Sequence, residues 1–302
     1  MAVYALAAPR GRTISEWVRE HPLGFATLVA SILPLASILI RWPLMWVWWG
    51  SNPVLAVQLP WVAQFVVGAA MVALLIDRLG WWRRTAMIAA LRLRLVTLLW
   101  LPTIATFSYW AGPLAALVAG RASPKVVGLT LAVAVLHALL VGFAEEGAFR
   151  GLILQALLPS GRLRAVAISS VLFGAMHAIH LVYGRHPLSV TLNVLYATCF
   201  GVAMAALRLR PMPLWPLVLF HAGVNLLGDL IEGPVVGTAA PWIGYVTLGL
   251  FRDAALLAYS ALLLLPSARR WARRGWTAAL SLLLLLLTLL DAGQIRAFLR
   301  VR

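Results

Sequence analysis

Acidic residues are scarce in this chain: nine of 302, against 25 lysines and arginines. Charged residues of both signs make up only 11% of it, far too few for a soluble domain of this length to cover itself against water. Cysteine occurs once, at Cys199, which excludes an intrachain disulfide and a cysteine metal cluster and leaves a small packing residue. Gly-x-Ser-x-Gly and His-Glu-x-x-His are both absent. A serine elbow and a helical zinc-protease signature are therefore missing, and Ser169 and Ser170 have no evident base partner in sequence. Long segments of alternating polarity are lacking, which argues against a β-barrel. Residues 1–22 lack the short apolar core and small-residue cleavage site of a removable signal, so the first span is expected to act as an uncleaved anchor. No repeat of fixed period and no low-complexity linker interrupts the chain, although inverted repeats need not show in sequence.

What is present is hydrophobicity: 63% of residues are hydrophobic and the mean hydropathy is +0.92. Apolar segments run over Leu23–Ile40, Val54–Ile76, Leu95–Gly120, Val126–Leu158, Ala165–Val182, Leu188–Leu207, Leu214–Ile231, Val246–Leu265 and the short Thr277–Leu290. Crossing a bilayer takes ~20 apolar residues as a helix. The expected fold is an all-α polytopic membrane protein with eight or nine transmembrane helices. It divides into a cytosolic N-terminal segment (1–22), a multi-span membrane domain (23–290) with its functional core at about 126–231, and a basic C-terminal tail (291–302). Trp42, Trp46, Trp48 and Trp49 read as an interfacial anchor between the first two spans.

The net charge of +16 does not point to nucleic acid. The arginines cluster between apolar runs, where positive charge sets topology and meets anionic headgroups of the lipid bilayer. With the N-terminus inside, sixteen basic residues fall on the cytosolic side and eight opposite, with Arg150 set apart in the membrane. The expectation is a multi-pass protein of the plasma membrane with a cytosolic N-terminus. Its oligomeric state is not encoded in any pattern we find.

Three motifs could build one site. Glu145 and Glu146 are adjacent inside the apolar run Val141–Leu154, where ionised carboxylates are costly and usually functional. Glu146 and Arg150 are four apart on one helix face and can pair, whereas Glu145 points about 100° away, free for another cavity. A second motif is Phe173-Gly-Ala-Met-His177, whose small residues permit close helix approach and whose imidazole can move a proton. His180 shares roughly the same face and is expected at the helix exit. The third, His221-Ala-Gly-Val-Asn225, projects two hydrogen-bond donors together, suited to an oxyanion. Asp229 continues that face and is expected at the interface. Each motif also has a plain structural reading, as ion pair, packing histidine or polar clasp. By helical rise Glu145, His177 and His221 lie ~20, ~18 and ~10 Å from their cytosolic helix ends. Within boundary error and tilt, they can meet in the cytosolic half of the membrane.

Such a set can run water-mediated acyl transfer. Glu145 with His177 would deprotonate a water, His221 and Asn225 would hold the oxyanion, and Glu146 with Arg150 would support Glu145. Two histidines and a carboxylate could instead bind zinc. The histidines sit on separate helices and asparagine is a poor zinc ligand, so chemistry without a cofactor is favoured.

Glu-Glu-x-x-x-Arg, then Phe-x-x-x-His, then His-x-x-x-Asn, in this order from Glu145 to Asn225, resembles the CPBP family of intramembrane proteases. That family is also called Abi and includes the CAAX prenyl endopeptidase. The resemblance implies a CPBP/CAAX-protease-like helical core with a cavity open toward the cytosol, and glutamate-dependent proteolysis of a membrane-associated peptide or protein. It implies Glu145 and His177 as the water-activating pair and His221 and Asn225 as the oxyanion hole. Alternatives are a non-catalytic membrane scaffold or immunity protein, as some members look to be, and a proton-coupled transporter using the same buried groups.

Overall fold

The computed structural model describes residues 13–47, 53–87, 89–106, 129–210, 212–231 and 242–265. The expected span Thr277–Leu290, the tail 291–302, the later part of Leu95–Gly120, Trp48 and Trp49 lie outside the described residues. Within them all regular structure is helical and no strand occurs.

Part of the polar N-terminal segment is itself a helix, α1 (Ile14–Glu20). It starts at Thr13 through a reciprocal capping box. The Thr13 N–H donates to Glu16 Oε2 at 2.8 Å, and the Glu16 N–H donates to Thr13 Oγ1 at 3.3 Å. Helix α2 (Pro22–Ala36) follows, with Pro22 at its first turn, where a missing N–H costs nothing. Pro34 lies inside α2 and lacks the donor for the preceding turn; just past it, Ser37–Arg41 wind as a π-helix before Trp42–Val47 resume α geometry. Helix α3 (Pro53–Arg78) comes next, then the short apolar run Thr97–Thr106.

The core follows. Helix α4 (Leu129–Glu146) passes through a second π-helical segment, Gly147–Ile153, into Leu154–Leu157. Helix α5 (Arg162–Met176) ends in a 3-10 turn, His177–Leu181. Helices α6 (Pro187–Arg208), α7 (Leu214–Ile231) and α8 (Trp242–Leu264) complete the described fold.

Among the described residues, five helical runs are long and apolar enough to cross a membrane: Pro22–Val47, Leu59–Arg78, Leu131–Ser160, Arg162–Leu181 and Pro187–Arg208. Helices α7 and α8 are further apolar helices of 18 and 23 residues packed beside them. Leu28, Leu39, Leu74, Val171 and Leu219 are exposed on the outer faces, as lipid contact requires and water contact does not. Phe149, Leu152, Ile153, Leu154, Met204 and Leu207 are buried, so the core centres on the π-helical segment after the glutamates.

Small residues set the helix spacings that carry the site. A Cβ on Gly142 of α4 would lie 2.5 Å from the Val218 carbonyl oxygen and 3.2 Å from the Ala222 nitrogen, so α4 and α7 meet backbone to backbone. A Cβ on Gly174 of α5 would strike Thr198 and come within 2.8 Å of the Val194 carbonyl of α6. Such contacts are the usual means of tight helix packing where lipid supplies no hydrophobic drive. They bring α4, α5, α6 and α7 together at or within one turn of the three motifs.

Candidate active site

The Gly142 contact places the end of α4 against the turn of α7 that carries His221. Glu146 is fully buried, and its Oε1 accepts two hydrogen bonds: from Arg150 Nη1 at 3.0 Å and from His221 Nδ1 at 2.8 Å. The i, i+4 pairing expected for Glu146 and Arg150 is therefore present. Arg150 is also buried; its Nη2 donates to the Gly201 carbonyl at 3.2 Å and its guanidinium lies 4.5 Å over the Phe173 ring. One arginine thus ties α4 to both α5 and α6. A buried cation held by a carboxylate, a carbonyl and a ring face is satisfied on several sides, which is what makes its burial tolerable.

Glu145 does not turn to a separate cavity. Its Oε2 lies 3.6 Å from His221 Nε2, so the two nitrogens of one imidazole face the two adjacent carboxylates. The 100° between neighbouring side chains is spanned because the imidazole is itself a bridge, with nitrogens on opposite edges. At 3.6 Å this contact is an ion-pair distance and too long for a hydrogen bond.

His177 enters through Phe173. Its Nδ1 donates to the Phe173 carbonyl at 2.8 Å, because a carbonyl can only accept. In the neutral ring this leaves the Nε2 lone pair open. The Phe173 ring meets His177 edge-on at 5.1 Å between centroids and His221 at 5.9 Å, so Phe173 sits between the two histidines. The imidazole that directly contacts Glu145 is His221, whereas the sequence suggested His177. His180 lies tilted beside His177, at 6.2 Å between ring centroids.

Polar atoms with spare capacity mark the middle of this cluster. Glu145 Oε2, Glu146 Oε2 and Asn225 Nδ2 are buried and make no hydrogen bond within the protein. Asn225 is one turn from His221 on α7, as the i, i+4 spacing requires. Ser169 donates to the Val166 carbonyl at 3.2 Å, a local helix bond and not a link to a base. Cys199 is buried and free. Among the described residues, no group of three or more His, Cys, Asp or Glu is placed to hold a metal ion.

A second histidine–carboxylate pair lies on the same two helices and is not evident in the sequence. His137 Nδ1 and Asp229 Oδ2 are 2.9 Å apart, eight residues before Glu145 and eight after His221. Antiparallel helices in one register produce this spacing, about 12 Å from the first pair. Asp229 is paired across to α4 with its side chain part-exposed. Trp61 and Phe65 of α3 meet His137 edge-on at 5.6 and 5.5 Å.

No curated protein and no solved structure matches the chain. Residues 127–227, the stretch that holds all three motifs and the whole Glu145–Glu146–Arg150–Phe173–His177–His221–Asn225 cluster, match the family described as type II CAAX prenyl endopeptidase Rce1-like, the same CPBP/CAAX-protease family that the motifs resemble.

Proposed function

We propose that this protein is an intramembrane endopeptidase that hydrolyses membrane-associated peptides or proteins with a glutamate-activated water. The observation that carries the reading is two buried unsatisfied atoms: an acceptor, Glu145 Oε2, beside His221, and a donor, Asn225 Nδ2, one turn along α7 from it. Buried polar groups in folded proteins nearly always have partners, and exceptions concentrate at reaction sites.

In this mechanism Glu145 takes a proton from a water that His177 Nε2 helps to orient. The hydroxide attacks the scissile carbonyl carbon, and the carbonyl π electrons move to oxygen. Asn225 Nδ2–H and a doubly protonated His221 hold that oxyanion. His221 keeps its Nδ1–H on Glu146 throughout. With Arg150 it balances the two carboxylates, so the buried site is neutral as a whole. Collapse of the tetrahedral intermediate expels the amine, which receives the proton from Glu145. No covalent intermediate forms. General acid–base catalysis contributes ~10²–10⁴ and an oxyanion donor ~10²–10³, and holding water and peptide in one site supplies the rest.

The arginine distribution supports a plasma-membrane protein with a cytosolic N-terminus, and apolar runs outside the described residues support further spans toward eight or nine. The activity for which the matched family is named suggests a prenylated C-terminus as one substrate class. The test is reconstitution in liposomes with two peptide sets, prenylated Cys-a-a-X peptides and unmodified membrane-anchored peptides, with products read by mass spectrometry. Cleavage of either set by the wild type and not by Glu145→Gln supports the reading, and the set cleaved names the substrate class. Equal products with both proteins contradict it.

A further inference from the structure

On the far side of α2 from Pro22 lies a buried cation that the proposed reaction does not use. Arg41 ends the π-helical segment Ser37–Arg41 and is 7% exposed. Its guanidinium carbon lies 3.4 Å from the Trp61 ring centroid and 3.9 Å from that of Tyr183. Two aromatic rings therefore cover the guanidinium faces. Tyr183 is held in place from α2: its hydroxyl donates to the Ser37 carbonyl at 2.9 Å and lies 2.6 Å from Ser37 Oγ. Covered faces leave only the in-plane N–H edge for a ligand, the edge that grips phosphate in a fork.

That edge has no anion within the described protein. Arg41 forms no ion pair among the described residues, and its Nε is buried without a hydrogen-bond partner. The charged neighbour within electrostatic range is Arg185, so the local field is positive. Stacking on aromatic faces helps a guanidinium but does not neutralise it, and an unbalanced buried cation is expensive. Tyr183, which covers one guanidinium face, also lines a cavity of about 180 Å³ with Trp42, Met45, Trp46 and Val182. Depth fits a headgroup: Arg41 is nineteen residues beyond Pro22, about 28 Å of helix, close to the ~30 Å hydrocarbon thickness.

We propose that Arg41, between Trp61 and Tyr183, binds the phosphate of an anionic phospholipid whose chain lies in the Trp42–Met45–Trp46–Val182–Tyr183 groove. Arg185 beside it favours a headgroup without an ammonium, such as phosphatidylglycerol, over phosphatidylcholine. The site does not depend on the protease reading and is tested without activity.

The experiment is native mass spectrometry of delipidated protein titrated with phosphatidylglycerol, phosphatidylcholine or glycerol 3-phosphate. The wild type should retain one phosphatidylglycerol with about tenfold preference over phosphatidylcholine, and Arg41→Gln should lose that preference. Equal retention of both lipids by the wild type, or an unchanged preference in Arg41→Gln, overturns the proposal. Glycerol 3-phosphate binding as tightly as the lipid assigns the arginine to a soluble anion and also overturns it. If Arg41→Gln does not fold, Trp46→Ala decides, since Trp46 is 66% exposed. It should weaken retention of phosphatidylglycerol several-fold, and unchanged retention counts against the groove.

Discussion

Replacing Arg150 with methionine keeps an unbranched apolar stem and removes the guanidinium with its charge. Three contacts are lost: to Glu146 at 3.0 Å, to the Gly201 carbonyl at 3.2 Å and over Phe173 at 4.5 Å. Glu146, fully buried, is left with the His221 bond alone. Breaking a buried pair by removing one partner costs about 3–5 kcal/mol, most of it the stranded charge. Glu146→Gln is milder, about 1–3 kcal/mol, because the amide oxygen still accepts from Arg150 and His221. Arg150→Met in the Glu146→Gln background strands no carboxylate. The double variant should therefore be more stable than the sum of the single losses implies, by about 2 kcal/mol. Unfolding in mixed micelles, followed by tryptophan fluorescence, measures all four proteins. Single losses that add within about 0.5 kcal/mol, or an Arg150→Met loss below about 1 kcal/mol, would refute the claim that this charge pair holds the site together.

The other predictions are narrower. Asn225→Ala should reduce cleavage about 10²–10³-fold with little change in substrate KM, since its donor acts on the oxyanion; a change confined to KM would place Asn225 in substrate binding. Glu145→Gln should reduce turnover by at least about 10²-fold while thermal unfolding stays within a few degrees of wild type. Gly142→Ala puts a methyl group 2.5 Å from the Val218 carbonyl, so α4 and α7 must part; about 1–3 kcal/mol of stability and most activity should go together, and an unaffected Gly142→Ala protein would show that the close approach is dispensable.

Local parts of the site were legible in the sequence and the bridges between them were not. The i, i+4 periodicity places Glu146 against Arg150, Phe173 with His177, and His221 with Asn225, because helical spacing alone determines shared faces. His221 spanning both glutamates depends on the depth at which α7 crosses α4. That depth is set by Gly142 against Val218 and Ala222, a tertiary fit with no periodic signature. The His137–Asp229 pair was missed for the same reason, since its residues are 92 apart in sequence. The apolar runs predicted α3, α6 and α7 to within two residues at each end. The π-helical turns at Ser37–Arg41 and Gly147–Ile153 were not visible, because an i→i+5 winding over five or seven residues barely alters the hydropathy period.

The central claim is that Glu145 makes this protein a protease. Protein termini compared between host cells carrying the wild type or Glu145→Gln at matched levels test it most directly, and name substrates at once. New termini within or beside membrane segments, present only with the wild type, are the predicted result. Identical termini, with both proteins well expressed and membrane proteins broadly sampled, would contradict the protease account and leave the buried carboxylates a structural role in a scaffold.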